Sequence, residues 1–267
     1  MTVSQGEKDR GEKSLLAVDV GNTTTRLGVF SGGELAGTWE LTTPERLTVD
    51  EARLAVTQAL PLMCGASPVD AILACVVPTL ADVWRRALTV SCPGRTYVVG
   101  PGLKSGVRMR YDDPSEVGAD RVADVVAARA DYGAPVVVVD LGTTTNFEVV
   151  DADGAFAGGI IAPGVALGAR SLAAAAARLP MIELRAPASV IGRNTRAAMQ
   201  SGVVLGEVAR VDGLLDAIAG ELGVSPKVVI TGDGAEAMSG LLRHETTVDA
   251  TLTLRGLWGI WRLNARG

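Results

Sequence analysis

The chain of 267 residues is 48% hydrophobic, enough to bury a sizeable core, and it carries a formal net charge of −5. An acidic chain without a basic cluster disfavours a nucleic-acid partner, because nucleic-acid phosphates are bound by clustered Lys and Arg. No apolar stretch approaches the ~20 residues of a membrane helix, and the cysteines have neither zinc nor disulfide spacing. We therefore expect a cytoplasmic protein without a membrane partner. Residues 1–13 are predicted to be a disordered extension, not a secretory signal.

The first half of the chain opens with Ala17 to Phe30, AVDVGNTTTRLGVF, which reads as a strand, a turn and a second strand. Gly32-Gly33 is typical of a tight hairpin turn. The following elements are predicted as strands at Glu34–Leu41, Ala71–Val77 and Thr96–Val99, and helices at Thr48–Met63 and Leu80–Val90. A hairpin followed by a βαβ unit predicts an α/β half, in which helices cover a mixed sheet.

The second half opens with a helix from Gly118 to Tyr132, for which Gly133 is the predicted C-cap. The run Val136 to Val150, VVVVDLGTTTNFEVV, then gives another strand, turn and strand, and Asp153-Gly154 is the next hairpin turn. The remaining predictions are a loop at Gly158–Gly164, a helix at Leu167–Leu179, one or two helices in Arg193–Leu222, a strand at Val228–Thr231 and a helix at Thr251–Asn264. We therefore expect two halves, residues 14–117 and 118–267.

The two strand–turn–strand segments match each other. When Asp19 is aligned with Asp140, Gly21 lies over Gly142, and Thr23 and Thr24 lie over Thr144 and Thr145. In each copy a buried strand ends in an Asp, and a Gly two residues later lets the backbone turn tightly or approach a ligand. Two such hairpins facing across a cleft would offer carboxylates, N–H groups and Thr hydroxyls to nucleotide phosphates and a metal ion. The alternative is two ordinary antiparallel hairpins, which the half-chain spacing of the copies disfavours.

Asp120 is the candidate catalytic residue. It falls in the first turn of the predicted 118–132 helix, where the helix dipole and the neighbouring Arg121 stabilise an ionised carboxylate. An acid in this position is most often only a favourable charge at a helix end. The catalytic interpretation depends on the motif around it.

Five motifs in this order resemble the type III pantothenate kinase family, from about Leu15 to Asn264. They are Asp19-Val-Gly-Asn-Thr23, Tyr111-Asp-Asp-Pro-Ser-Glu-Val-Gly-Ala-Asp-Arg121, Asp140-Leu-Gly-Thr143, Gly158-Gly-Ile-Ile-Ala-Pro-Gly164 and Ile191-Gly-Arg-Asn-Thr195. The duplicated hairpin places that family in the sugar kinase, actin and Hsp70 superfamily. The resemblance implies an α/β fold of two ribonuclease-H-like halves, as in actin-like ATPases, with a central cleft. It also implies ATP-dependent phosphorylation of pantothenate, the first step of coenzyme A biosynthesis.

The resemblance further implies roles for individual residues. ATP and its phosphates would be bound by Asp19, Val20, Gly21, Asn22, Thr23, Thr24, Thr25, Arg26 and Thr143. Pantothenate would be bound by Tyr111, Gly118, Ala119, Asp120, Arg121 and Thr195, with Asp120 accepting the proton of its primary hydroxyl. Asp19 would hold Mg²⁺ through water, and Asp140 would hold a monovalent cation, K⁺ or NH₄⁺. Thr195 reaches the site from the second subunit in this family, so a homodimer is implied.

Three positions depart from the family pattern. After Asp140-Leu-Gly-Thr143 the family usually reads A-T-T-F-D, whereas this chain has Asn146 and Glu148 in the corresponding run, and Asp233 interrupts a Gly-Gly turn between Gly232 and Gly234. These changes bear on cation and substrate preference. Two alternatives therefore stay open: a kinase of another small hydroxy acid, and a non-enzymatic nucleotide-binding regulator of the same fold.

Overall fold

The protein is described from a computed structural model that covers residues 14–63, 68–176 and 178–265. The predicted extension at 1–13 and Cys64 lie outside these ranges. Within them the chain forms two five-stranded mixed sheets with helices packed against them. Across the described ranges, no helix is both long enough and apolar enough to span a bilayer.

The first sheet contains β1 (Leu15–Val20), β2 (Thr24–Ser31), β3 (Glu34–Thr42), β4 (Asp70–Cys75) and β5 (Thr96–Val98), in the order β3-β2-β1-β4-β5. β1 pairs antiparallel with β2 and parallel with β4. Every residue of β1 is buried, as a central strand with helices on both faces requires. The sheet therefore places the last residues of β1, including Asp19, beside the last residues of β4.

The second sheet contains β6 (Val136–Leu141), β7 (Thr144–Val150), β8 (Phe156–Pro163), β9 (Lys227–Gly232) and β10 (Thr247–Val248), in the order β10-β9-β6-β7-β8. β6 pairs antiparallel with β7 and parallel with β9. The layout repeats that of the first sheet, with the apolar run of β6 in the central place of β1. The predicted duplication is therefore a duplication of topology.

The helices are α1 (Val49–Met63), α2 (Pro78–Ser91), α3 (Ala119–Tyr132), α4 (Val165–Ala175), α5 (Thr195–Gln200), α6 (Gly206–Leu222), α7 (Ala235–Ser239) and α8 (Leu252–Asn264). A π-helical turn, Ser201–Leu205, joins α5 to α6. Gly133 has a φ of +84° at the end of α3, in agreement with its prediction as a C-cap.

Helices α1 and α2 cover one face of the first sheet. Val56 and Trp84 are buried against strand residues such as Val18. A capping box begins α1, because the N–H and the hydroxyl of Thr48 both donate to Glu51 Oε2 at 2.8 Å. Pro78, predicted to stop the preceding strand, is the first residue of α2, where a missing N–H costs no helical hydrogen bond.

Helix α8 packs on the other face of the same sheet. The Trp258 ring stacks on Phe30 with centroids 5.8 Å apart, and Trp261 Nε1 donates to the buried Asp70 at 3.1 Å. The other oxygen of Asp70 accepts from the N–H of Arg95 at 2.8 Å. The last helix of the chain is thus anchored to its first sheet by a satisfied buried carboxylate.

The chain divides into two compact units, which depart from the predicted halves. Among the described residues, the first unit contains 14–106, 115–123 and 253–265, and the second contains 107–114 and 124–252. Residues 253–265 return to the first unit because α8 packs there. Residues 107–114 join the second unit because Arg108 and Arg110 pair with Phe156 at the start of β8.

Two local predictions are corrected by the structure. Gly158–Gly164, predicted as a loop, is mostly the edge strand β8; Gly and Pro are tolerated there because one side of an edge strand needs no ladder hydrogen bonds. The second repeated turn is also one residue shorter. Thr25 pairs with Val20, whereas Thr145 pairs with Leu141. Thr24 therefore corresponds to Thr144 and not to Thr145.

Candidate active site

The first repeated turn presents backbone and hydroxyl groups at the end of β1. Gly21 N–H donates to Thr24 O at 3.0 Å, and Thr43 N–H donates to Thr23 O at 2.8 Å. Asn22 and Thr23 are exposed, whereas the side chain of Val20 lies in the core. Of the predicted phosphate-binding residues, Val20 can therefore contribute only its backbone.

Two further residues of this predicted cradle are held within the sheet. The hydroxyl of Thr25 is buried and lies 2.8 Å from the hydroxyl of Thr43, and Arg26 pairs with Glu40 on β3 at 3.0 Å. These contacts join the turn to its neighbouring strand. They support the geometry of the turn and leave Asn22, Thr23 and Thr24 as the polar groups nearest to solvent.

The second repeated turn is braced on both sides by glycines. Gly164 N–H donates to Thr143 O at 3.1 Å, and a Cβ at Gly164 would collide with the carbonyls of Gly142 and Thr143. On the other side, Gly232 has a φ of +85°, and a Cβ there would collide with Leu141 O. Only glycine permits this packing. The brace holds the turn that carries Asp140 and Thr143.

A buried polar network, which the sequence did not reveal, supports the same turn. Glu207 on α6 is buried and accepts from the hydroxyl of Thr145 at 2.6 Å. Arg210, one turn further along α6, donates both to Glu207 and to the carbonyl of Pro163. Burying an ionised carboxylate such as that of Glu207 costs free energy unless its oxygens are paired. The signal available in the sequence was only a Glu and an Arg three residues apart in a predicted helix.

Three polar residues form a row across the second sheet beside this turn. Register places Asp140 between Asn146 on β7 and Thr231 on β9, and strand alternation turns all three away from the apolar core that contains Val139 and Phe147. The Oδ1 atom of Asn146 is buried and accepts no hydrogen bond within the described part of the chain. Carboxylate, amide and hydroxyl oxygens suit a hard cation. Among the described residues, no three His, Cys, Asp or Glu side chains form a cluster that could hold a metal ion.

In the first unit, Asp19 and Asp120 lie near the same thiol. Asp120 is in the first turn of α3, and Asp19 is buried near the end of β1. Burial raises the pKa of the Cys75 thiol, and the negative charges of Asp19 and Asp120 raise it further. Both predicted carboxylates therefore lie close enough to Cys75 for their charges to act on its thiol. A Cβ at Gly118 would lie 2.5 Å from Asp120 Oδ1, so a side chain there would displace this carboxylate.

The environment of Asp120 combines the expected stabilisation with a larger opposing effect. Burial raises the pKa of Asp120, and this outweighs the N–H of Arg121, which donates at 2.7 Å, and the Arg121 charge, which both lower it. The sequence predicted only the lowering effects. A partly buried carboxylate with a raised pKa is a better proton acceptor than an ordinary surface Asp.

The remaining predicted substrate residues lie on α3, on the 107–114 segment and on α5. Arg121 is buried beside Asp120 on α3. Tyr111 lies in the second unit and stacks on Phe156 with ring centroids 5.4 Å apart. Thr195 is exposed at the first position of α5, which is capped by Asn194 through a 2.9 Å hydrogen bond from Ala197 N–H.

The raised pKa of Asp120 makes a prediction about stability. A carboxyl whose folded pKa lies above its unfolded value of about 3.9 is fully stabilising only below that value, and the stability is lost as pH rises through the folded pKa. We expect the melting temperature of Asp120→Asn, relative to wild type, to increase between about pH 4 and pH 7. Thermal unfolding followed by circular dichroism across this range measures it.

The control has the opposite sign. The N–H of Thr48 lowers the pKa of Glu51, so Glu51→Gln should lose stability relative to wild type as pH rises over the same range. If Asp120→Asn behaves like Glu51→Gln, the helix terminus dominates over burial at Asp120.

Comparison with known proteins agrees with the motifs. The family model for type III pantothenate kinase matches residues 15–217. A type III pantothenate kinase of Anaeromyxobacter dehalogenans is 43% identical over 246 residues, covering 91% of this chain and 96% of the relative. One from Moorella thermoacetica is 39% identical over 259 residues, covering 94% and 99%.

Solved structures agree on the fold. The ethanolamine utilization protein EutJ from Carboxydothermus hydrogenoformans superposes with a TM-score of 0.53 at 17% identity, covering 93% of this chain and 89% of that one. MreB 5 of Spiroplasma citri, solved with AMPPNP bound, gives a TM-score of 0.54 at 9% identity, covering 95% and 97%. These similarities support the two-lobed α/β fold of actin-like ATPases. The family model and the relatives at about 40% identity show that the chain belongs to the type III pantothenate kinase family.

Proposed function

We propose that this kinase transfers the γ-phosphoryl group of ATP to the primary hydroxyl of pantothenate, the first step of coenzyme A biosynthesis. The observation that carries the proposal is the environment of Asp120, a carboxylate of raised pKa at the start of α3, in a chain of this family. The hydroxyl oxygen forms a bond to the γ-phosphorus as the bond to ADP breaks. Asp120 accepts the hydroxyl proton.

Phosphoryl transfer requires mainly positioning and charge stabilisation from the protein. The turn from Asp19 to Arg26 and the turn that carries Thr143 would bind the phosphates, chiefly through backbone N–H groups and the exposed Asn22 and Thr23. The second turn is supported by Gly164, Gly232 and the Glu207 network. Rigid support of this kind reduces the reorganisation needed when charge develops on the phosphates.

The residues that the resemblance assigns to pantothenate each suit part of that substrate. Arg121, with a planar fork of N–H donors, suits the carboxylate of the substrate. Gly118 and Ala119 would contribute backbone at the start of α3, and Tyr111 would contribute its ring and hydroxyl. Retention of these residues favours pantothenate over another hydroxy acid, and retention of Asp120 favours an enzyme over a regulator.

Cations would complete the site. Asp19 would hold Mg²⁺ through water, since Mg²⁺ retains most of its water ligands in proteins. Asp140 would hold K⁺ or NH₄⁺ together with the amide oxygen of Asn146. When bound, these ions offset the negative charge of the phosphates.

A homodimer is part of the proposal. Ile161, Val190 and Ile191 are exposed, at 63%, 73% and 80% of their surface. The irregular segment that carries the last two is held to the α5 region, because Ser201 Oγ donates to Val190 O at 2.6 Å. Exposed apolar surface of this kind is typical of subunit interfaces. Val190 and Ile191 adjoin Thr195 in sequence, and the family resemblance implies that Thr195 reaches the site of the other subunit.

The primary test is a coupled ADP-release assay with pantothenate, glycerol, a hexose and pantoate. We expect turnover on pantothenate in preference to the others. Asp120→Asn should lower kcat by about 10²- to 10⁴-fold, because the amide accepts no proton, while the KM for ATP stays within about threefold. The wild-type kcat/KM should also fall on the acid side at a pH above the ordinary Asp range, since the pKa of Asp120 is raised.

Asp131→Asn, at the exposed end of the same helix, is the matched control and should keep its activity. Near-wild-type turnover by Asp120→Asn would make this residue a helix-end charge. An equal loss of ATP affinity would assign it to the nucleotide site instead.

A second prediction concerns the cation at Asp140. Replacing K⁺ by Na⁺ should lower activity, and Asp140→Ala should lose both activity and the response to K⁺ while its circular dichroism spectrum is unchanged. Asn146→Ala should keep the fold and raise the half-saturating K⁺ concentration by about threefold or more, because one oxygen ligand is removed. A wild type that is indifferent to K⁺, Na⁺ and NH₄⁺ would contradict the cation role.

A third prediction tests the shared site. Asp120→Asn and Thr195→Ala should each be impaired alone, yet a mixture exchanged under mild denaturant should recover about a quarter of wild-type activity. In a mixed dimer, one of the two sites then combines an intact Asp120 with an intact Thr195 from the other subunit. Recovery no greater than the mean of the separate variants would place Thr195 in its own subunit's site.

A further inference from the structure

The segment Val107–Pro114, which carries Tyr111, is docked on the second sheet by a short backbone pairing. Arg110 N–H donates to Phe156 O at 2.9 Å, and Phe156 N–H donates to Arg108 O at 2.9 Å. Phe156 is the first residue of the edge strand β8, so this docked segment adds a bridge on the open side of the sheet. Two main-chain hydrogen bonds alone are a weak attachment.

The position of Tyr111 follows from this pairing. Its ring stacks on Phe156 at a centroid separation of 5.4 Å and an interplanar angle of 30°. Phe156 is fully buried, so its ring is a fixed platform. A shift of the docked segment by one residue would turn Tyr111 to the other side and remove this stacking.

Two carboxylates in the β7–β8 turn hold the segment in place. Asp151 is buried, and its Oδ1 accepts from Asp153 N–H at 3.0 Å and Ala155 N–H at 2.9 Å. Its Oδ2 forms an ion pair with Arg110 Nη1 at 3.0 Å, and Asp153 Oδ2 accepts from Arg110 Nη2 at 2.6 Å. One guanidinium therefore bridges two carboxylates.

This arrangement differs from an ordinary exposed ion pair. Asp151 is already held by the turn, in which Gly154 has a φ of +72°, so little side-chain freedom remains to be lost on pairing. The guanidinium donates a hydrogen bond to Asp153 and pairs by charge with Asp151, whose Oδ2 accepts no hydrogen bond within the described part of the chain. Its planar fork lets two of its nitrogens face the two carboxylates at once, which an ammonium does not. The turn is thus a preformed receptor for Arg110.

We propose that Arg110 is a positioning residue: by bridging Asp151 and Asp153 it locks the docked segment on Phe156 and thereby sets the affinity for pantothenate through Tyr111. The effect on pantothenate affinity rests on the proposed function. The docking of the segment by Arg110 rests on the contacts alone. Arg110 touches neither substrate nor phosphate in this scheme. Its effect reaches the reaction through the placement of Tyr111.

The test compares Arg110→Met, which keeps the length of the side chain and removes its charge, with Asp153→Asn. Each should raise the KM for pantothenate by about three- to tenfold, with kcat and the KM for ATP within about twofold. The double variant should be close to the worse single variant, because the Arg110–Asp153 pair is lost in both; the only further contact that Asp153→Asn removes among the ion pairs described is the long, exposed pair of Asp153 with Arg108 at 3.6 Å. Arg110→Lys should be intermediate, since an ammonium lacks the bidentate fork.

Hydrogen–deuterium exchange measures the lock without any turnover. The amides of Arg110 and Phe156 should exchange about three- to tenfold faster in Arg110→Met and Asp153→Asn than in wild type. Arg85→Met is the matched control: the Arg85 side chain is 49% exposed, against 48% for Arg110, and pairs with Asp82 on α2. It should change neither exchange at these amides nor the KM for pantothenate.

Unchanged exchange at both amides overturns the lock, and so does an equal rise in the KM of both substrates or an additive double variant. Absence of pantothenate turnover by the wild type counts instead against the proposed function. In that case the exchange experiment still decides whether Arg110 holds the docked segment. The two failures are therefore distinguishable.

Discussion

The structure depends on one constraint that applies in both sheets. The central strand is buried, so the carboxylate that it carries must lie near its end, outside the apolar core. β1 and β6 are buried runs in the middle of their sheets, and an ionised group along their length would be costly to bury without partners. Asp19 and Asp140 come one residue before the end of each strand, next to the turn. The charge therefore lies at the carboxyl end of each central strand, where we propose that cations and phosphates bind.

The two copies of this device are supported differently. In the first unit the turn is joined to β3 through the hydroxyls of Thr25 and Thr43. In the second unit, Gly164 and Gly232 pack against the turn from both sides, and Glu207 accepts a hydrogen bond from the hydroxyl of Thr145. Opposite the aspartates stand Arg26 in one copy and Asn146 in the other. The residue paired with Asp140 therefore offers a neutral oxygen ligand beside the carboxylate, whereas the residue paired with Asp19 is a cation.

Asp120 illustrates how burial and local charge compete. A helix N-terminus and an adjacent Arg both favour the ionised carboxylate. Desolvation opposes them and dominates, so the pKa is raised. A proton acceptor needs this compromise, because a strongly stabilised carboxylate is a poor base. The same burial reduces stability at neutral pH, a cost that is common at functional sites.

Short-range patterns in the sequence determined most of the elements, the duplication and the candidate aspartates. Apolar periodicity, turn glycines and helix caps are local signals, so the strands around Asp19 and Asp140 and the start of α3 were predicted from them. The edge strand β8 was missed, because its glycines and Pro163 carry a loop signal that only its position in the sheet overrides. The return of α8 to the first sheet, the Glu207 network and the Arg110 bridge depend on contacts between residues far apart in the chain. No local pattern encodes such contacts, since the burial that raises the pKa of Asp120 and the partner that fixes each charged group exist only once the chain is packed.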